Sequence, residues 1–304
     1  MTENALEVRA DAPVSEFAAL QVAGGPTAFH TTVLMARITF LEAARRKILW
    51  IAMLAGVAFL AFFGTAVHFV LRRSVPGQNL VALREAMVLM TMMVLYAGSM
   101  MTSLMAVLTS CDTLSGEIDS GTIHAIATKP VRRWCLVLGK WAGFVAMLTL
   151  YVLLIEGGTI LLSWHASGYL AHHSVAVLSL VWLQAVVLLS VTVAASTSFS
   201  SLTSGAISLG LYGLAFVGGW IEQFGSLRHV PALVPLGIFS SLIMPSDALW
   251  RRAAYQFQPP LLGTIGASPF ASNLIPSALM VAYAALYALL ALVLAQILFS
   301  RRDL

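Results

Sequence analysis

The sequence predicts an all-α polytopic membrane protein with six transmembrane helices, and three observations carry that prediction. Hydrophobic residues fill 59% of the 304 positions and charged residues only 10%, whereas a water-facing globular surface needs about 25% charge. Mean hydropathy is +0.89. Six runs with almost no charge reach the roughly 20 residues that a helix needs to cross about 30 Å of hydrocarbon. They fall at about 48–71, 86–108, 141–163, 175–197, 203–221 and 276–300, the third interrupted only by Glu156.

Residues 1–30 mix acids with Pro13, Gly24, Gly25 and Pro26 and lack the basic start and apolar core of a secretory signal. They read as a flexible cytoplasmic tail ahead of a transmembrane domain at 31–304. Thr31–Lys47 follows as an amphipathic helix. Leu34, Ile38, Leu41 and Ile48 recur at helical spacing, while Arg37, Glu42, Arg45 and Arg46 form a polar flank. Such a helix can lie in the headgroup plane, and a plain basic stop before span one explains the pattern equally well. Glu42 and Arg46 are spaced for an i,i+4 pair.

Span two carries Met87, Met90, Met92, Met93, Met100, Met101 and Met105. Flexible thioethers suit a surface that adapts to varied apolar ligands, with Met93 and Met100 as candidate contacts, but gap-filling in a packed interior outweighs that reading. The segment Thr109–Lys140 then places acids first and bases later. Within it Ser120 can cap a short helix with Ile118, Ile123 and Ile126 on one side, and Pro130 ends that helix and opens a second one running into span three. Cys111 and Cys135 flank this basic loop, where a reducing compartment disfavours a disulfide.

Glu156 sits beside Gly157 and Gly158 within span three. A carboxyl inside hydrocarbon costs a few kcal/mol, so Glu156 is a candidate functional contact, balanced against a partly solvated acid near the membrane edge. Spans four and five are joined by a hydroxyl-rich turn from Ser196 to Ser204, either a second contact surface or a tight hairpin. Glu222–Ile275 contains Val230–Met244, which is apolar but broken by Pro231 and Pro235 and is too short to cross, so it predicts re-entrant or interfacial helices. Ser246 and Asp247 start a further helix with Leu249, Trp250, Ala253 and Phe257 on one side. Arg251 and Arg252 are candidate ligands for lipid phosphates or an anionic substrate, though interfacial anchoring is the plainer reading.

Positive charge gathers on the side holding Arg37, Arg45, Arg46, Lys47, Lys129, Arg132, Arg133, Lys140, Arg301 and Arg302. The positive-inside rule therefore places both termini in the cytoplasm. The net charge of +4 suits anionic lipid heads and requires no nucleic acid. No GxxxxGK(S/T), HExxH, paired CxxC or GxSxG pattern occurs, so the chain is expected to bind no nucleotide cofactor and to have no catalytic or metal residues of its own. His165, His172 and His173 lack a carboxylate or thiolate beside them and read as solvated.

The run SGEIDSGTIHAIATKPVRRWCLVLGKW resembles the signature loop of type-2 ABC exporter permeases, in the branch near the nitrous-oxide-reductase maturation permease. The matching features are Gly116–Glu117, Gly121–Thr122, Pro130 with Arg132 and Arg133, and Gly139–Lys140. MPSDALWRR at Met244–Arg252 is similar to the element before the last span of that branch. The resemblance implies a permease homodimer bound to cytoplasmic ABC ATPase subunits, which would supply ATP and Mg. Gly116, Glu117, Asp119, Gly121, Thr122, Ile123, Pro130, Arg132 and Arg133 would form the coupling helix seated on the ATPase, braced by the amphipathic helix. It also implies a substrate route near the dimer axis along spans one, two and five. The expected function is thus membrane-embedded export powered by a separate ATPase from the inner or plasma membrane. The alternatives are a mechanical relay acting on an extracytoplasmic partner and an intramembrane enzyme centred on Glu156.

Overall fold

The computed structural model describes residues 28–45, 47–73, 80–113, 115–116, 133–168, 173–228, 230, 232–258 and 276–301. Its helices are α1 (Ala28–Arg45), α2 (Lys47–Arg73), α3 (Leu80–Ser110), α4 (Arg133–Val152), α5 (Gly158–Ser167), α6 (Ser174–Ser196), α7 (Ser201–Leu227), α8 (Leu233–Ile243), α9 (Ser246–Phe257) and α10 (Ala278–Ser300). A π-helical segment, Leu153–Gly157, joins α4 to α5. Among the described residues there are no strands.

Six helical stretches are long and apolar enough to cross a membrane: Leu49–Arg72, Glu85–Ser110, Trp134–Ala166, Ser174–Ser196, Ser201–Ser226 and Ala278–Ser300. The third has 33 residues, about 50 Å at 1.5 Å per residue, well beyond the roughly 30 Å of hydrocarbon. Its helix therefore begins before the apolar run predicted at 141–163. The added first turns, Trp134–Leu138, are themselves apolar, and only Gly139 and Lys140 separate them from that run.

Successive spans run antiparallel. Ser115, past the end of span two, meets Ser201 at the start of span five, and Thr91 early in span two meets Ser163 late in span three. The side where spans one, three and five begin is here the proximal face, and the other is the distal face.

Span four, α6, is the centre of the bundle. Two thirds of its apolar window is buried, against 17% for span one and 22% for span six. It is apolar all round, as an enclosed helix should be, and packs against α3, α4, α7, α9 and α10. In lipid the pull of water on apolar surface is absent, so side-chain hydrogen bonds and close packing hold helices together. Gln184 Nε2 donates to Ser103 Oγ at 3.0 Å, Trp141 Nε1 to Ser190 Oγ at 2.9 Å, and Trp182 Nε1 to Thr149 Oγ1 at 2.9 Å.

The N-terminal helix forms as expected, but it packs through another face. Thr39 and Ala43 are buried, while Leu34, Ile38 and Leu41 of the predicted apolar stripe are exposed. Small residues let α1 lie close on α4. A Cβ on Gly139 would stand 2.4 Å from Met35 Cβ, and one on Gly143 would stand 2.7 Å from the Ala36 carbonyl oxygen. Their four-residue spacing is the small-xxx-small pattern of close helix crossings. The larger apolar side chains are left to face lipid. Arg46, the intended partner of Glu42, lies outside the described residues.

On the distal face α8 and α9 meet at a bend of 107°. This bent apolar pair stands where Val230–Met244 predicted re-entrant or interfacial helices. The predicted apolar side of α9 is buried: Leu249, Trp250, Ala253 and Phe257 are each at most 4% exposed.

Candidate functional site

The proximal face gathers the ends of spans two, three and five around the loop between spans two and three. Lys140, one residue past Gly139 and 7% exposed, donates from Nζ to the Thr113 carbonyl oxygen at 2.8 Å. A buried lysine requires such an acceptor, since an unpaired ammonium away from water is costly. On the other flank Ser201 Oγ donates to Asp112 Oδ1 at 2.7 Å and lies 2.8 Å from Ser115 Oγ. The hydroxyl-rich turn between spans four and five is thus a contact surface for the loop as well as a hairpin. Gly116 sits so close over Asp112 that a Cβ would meet its Oδ1 at 2.2 Å. Together with α1 on Gly139 and Gly143, these bonds fix both stems of the loop to the bundle.

Of the residues predicted to couple, Gly116 lies at this frame. Glu117, Asp119, Gly121, Thr122, Ile123, Pro130 and Arg132 fall outside the described residues, as does the short helix expected from Ser120. Arg133 opens α4, and its side chain is likewise outside them.

A second constellation occupies the distal face. Arg251 on α9 is 4% exposed and is ion-paired to Glu222 of α7 (Nη1 to Oε2, 2.9 Å) and to Asp247 one turn earlier (Nε to Oδ2, 2.9 Å). Its Nη2 donates to Ser241 Oγ of α8 at 3.1 Å. The guanidinium expected at a lipid or substrate surface is instead committed to three elements of the protein. Arg252 Nη1 donates to the Pro276 carbonyl oxygen at 2.5 Å and Tyr283 Oη to the Leu242 carbonyl oxygen at 2.5 Å, which tie the hairpin to span six. Burial pushes the Asp247 carboxyl up to about 6. Arg251 pulls it down and Glu222 adds to the rise. Gly219 makes room for this carboxylate, since a Cβ there would stand 1.8 Å from Asp247 Oδ2.

Aromatic rings extend the network inward. Trp220 Nε1 donates to Tyr96 Oη at 3.2 Å, and the Tyr96 ring lies 5.1 Å from that of Trp250. Spans two and five and the hairpin therefore meet at one place.

Glu156 lies within the π-helical segment and is fully buried, with neither carboxyl oxygen hydrogen-bonded among the described residues. It packs on Gly98, where a Cβ would meet Oε1 at 2.9 Å and Ile155 Cγ2 at 2.8 Å. A general acid must lie within hydrogen-bond distance of its proton acceptor and a general base of its proton donor, and among the described residues neither carboxyl oxygen of Glu156 has such a partner. Of the span-two methionines, Met87, Met92 and Met105 are buried in the packed interior, Met100 is half-buried, and Met93 is 48% exposed.

A family model described as ABC-2 family transporter protein matches residues 33–304. The chain belongs to this family. It is the membrane permease subunit of an ABC transporter. No individually curated protein matches it. ABC-2 permeases are transmembrane subunits without ATPase motifs of their own, and membership implies an ABC ATPase partner. In this ABC-2 chain, sequence reasoning missed Lys140 as a buried tether, Asp112 as the partner that the hydroxyl-rich turn contacts, and Glu222 as the partner of Arg251. The Gly139–Gly143 spacing and the i,i+4 spacing of Asp247 and Arg251 were the available signals; nothing local to Glu222 announces its partner.

Proposed function

We propose that this ABC-2 permease is the membrane half of an exporter driven by cytoplasmic ATPase subunits, with the loop between spans two and three as the point where their motion enters. The observation that carries this reading is the frame around that loop. Lys140 bonded to Thr113 and Ser201 bonded to Asp112 tie its two stems to each other and to span five, so a push on the loop is shared by three spans. A loop hinged freely on its stems would absorb the push. Glu117 is the polar contact to the ATPase and Arg132 and Arg133 grip it or the membrane surface, with ATP and Mg held by the partner. A second copy of the chain completes the permease, and both termini lie in the cytoplasm of an inner or plasma membrane. Nucleotide can shift such a machine only through differential affinity for its two states.

Cysteine cross-linking tests this. With Cys111 and Cys135 replaced, Thr122→Cys should cross-link to the ATPase in the assembled complex. Labelling of Thr122→Cys exclusively from the extracytoplasmic side would refute the reading.

The distal hairpin favours a second reading, a mechanical relay on an extracytoplasmic partner. It is tied to span five by the Arg251–Glu222 pair and to span six through Arg252 and Tyr283, while Leu236, Ile238, Phe239 and Leu242 remain exposed on α8. The branch near the nitrous-oxide-reductase maturation permease suits this reading, on the loop motif and Met244–Arg252. Co-purification of an extracytoplasmic protein, lost on Phe239→Asp and without substrate-stimulated ATPase activity, would support the relay over export.

A further inference from the structure

A cavity of about 320 Å³ opens beside the distal network, at the small end of ligand-binding pockets. Glu222, Arg251 and Ser241 stand in its wall, and Ile238, Leu242 and Met280 supply apolar lining from α8 and α10. We propose that this cavity binds the ammonium group of an amphiphilic amine, with the ammonium against the Glu222 carboxylate and the apolar body between α8 and span six.

Charge balance selects the cation. Two buried carboxylates, Glu222 and Asp247, meet one guanidinium, Arg251, so the cluster carries one excess negative charge where water is scarce. Arg252, the next cation along the helix, bonds the Pro276 carbonyl and does not line the cavity. An uncompensated charge in such surroundings is costly, so a buried cluster of this kind gains from a proton or a bound cation. Glu222 belongs to both the ion pair and the cavity wall, which places the unbalanced charge within reach of a ligand. An anion would face two carboxylates, and a neutral amphiphile would leave the imbalance in place. The apolar lining accounts for the other half of the ligand, since removing an alkyl chain from water contributes about 0.8 kcal/mol per buried methylene. The site lies on the distal side and uses none of the loop residues invoked for coupling, so the two proposals fail separately.

The test uses the full chain in nanodiscs of phosphatidylcholine and phosphatidylglycerol, with n-octylammonium, n-octanol and n-octyl sulfate as probes in equilibrium binding. Octylammonium should bind more tightly than the other two. Glu222→Gln should weaken it by about ten- to hundredfold, the loss expected for one charge-assisted contact. Because Glu222 also holds the hairpin, Met280→Trp provides the control. It fills the cavity while keeping all three ion-pairing side chains, so it should abolish octylammonium binding without the loss of thermal midpoint that Glu222→Gln brings. Competition by added phosphatidylethanolamine would identify a lipid headgroup as the source of the amine, and lack of competition a free amine. Equal binding of all three probes, or unchanged octylammonium binding in Met280→Trp, would overturn the proposal.

Discussion

At the scale of single residues, three buried charged groups behave differently because their surroundings differ. Arg251 is fully partnered, and removing one member of a buried ion pair leaves the others charged and unsatisfied, a loss of about 3–5 kcal/mol. Arg251→Met should therefore lower the thermal midpoint of the purified protein sharply, whereas Arg301→Met, on an exposed residue, should scarcely move it. Glu156 has no hydrogen-bond partner among the described residues to lose. Replacing an unsatisfied buried polar group by an apolar one of similar shape recovers its desolvation penalty, about 1–3 kcal/mol, so Glu156→Met should raise the midpoint. A lower midpoint would show that the carboxyl is engaged in the folded protein. Asp247 supplies the pH dependence. Its native value of about 6 lies above the ordinary 3.8, so the native state holds its proton more tightly than the unfolded state. Stability from this group is present below about pH 4, falls as pH rises between 4 and 6, and is level above that. Comparing midpoints of wild type and Asp247→Asn across pH 4–7 isolates the effect, because the slope due to Asp247 should be missing from the variant.

At the scale of elements, the seat of α1 on α4 depends on two glycines without side chains. Gly143→Val would drive a side chain into the Ala36 carbonyl and Thr39, and overpacking of this kind costs about 1–3 kcal/mol. Gly143→Val should therefore lower the thermal midpoint of the purified protein, while the six spans remain inserted. The existence of α1 was legible in the sequence, but its packing face was not. Leu34, Ile38 and Leu41 form the apolar stripe that a water-soluble helix would bury, yet in lipid a large apolar side chain is as comfortable outside as inside, and small residues mark the contact. The same physics made the six spans easy to read, since length and lack of charge decide them, and made their order of burial hard to read. Nothing in the hydropathy of α6 separates it from α10, though one is enclosed and the other mostly faces outward. Arg251 and Arg252 looked like a matched surface pair. One turn of helical geometry points Arg251 inward to Asp247, and its other carboxylate comes from α7, a contact between distant parts of the chain that local pattern cannot show.

At the scale of the whole molecule, the structure is a bundle around span four with a tied network at each face. The proximal frame joins spans two, three and five. The distal network joins span five to the hairpin and, through Arg252 and Tyr283, to span six. Span five takes part in both, so displacement at one face has a continuous helix, Ser201–Leu227, along which to reach the other. Work done by an ATPase on the proximal loop would pass along that helix. The most direct measurement is ATPase activity of the complete complex carrying Lys140→Met, a variant that keeps the loop intact but cuts its stem from Thr113. The account predicts normal assembly and ATP binding, with transport or partner movement per ATP hydrolysed reduced by roughly tenfold, the worth of one buried charge-assisted bond. Full coupling in a correctly assembled Lys140→Met complex would contradict it.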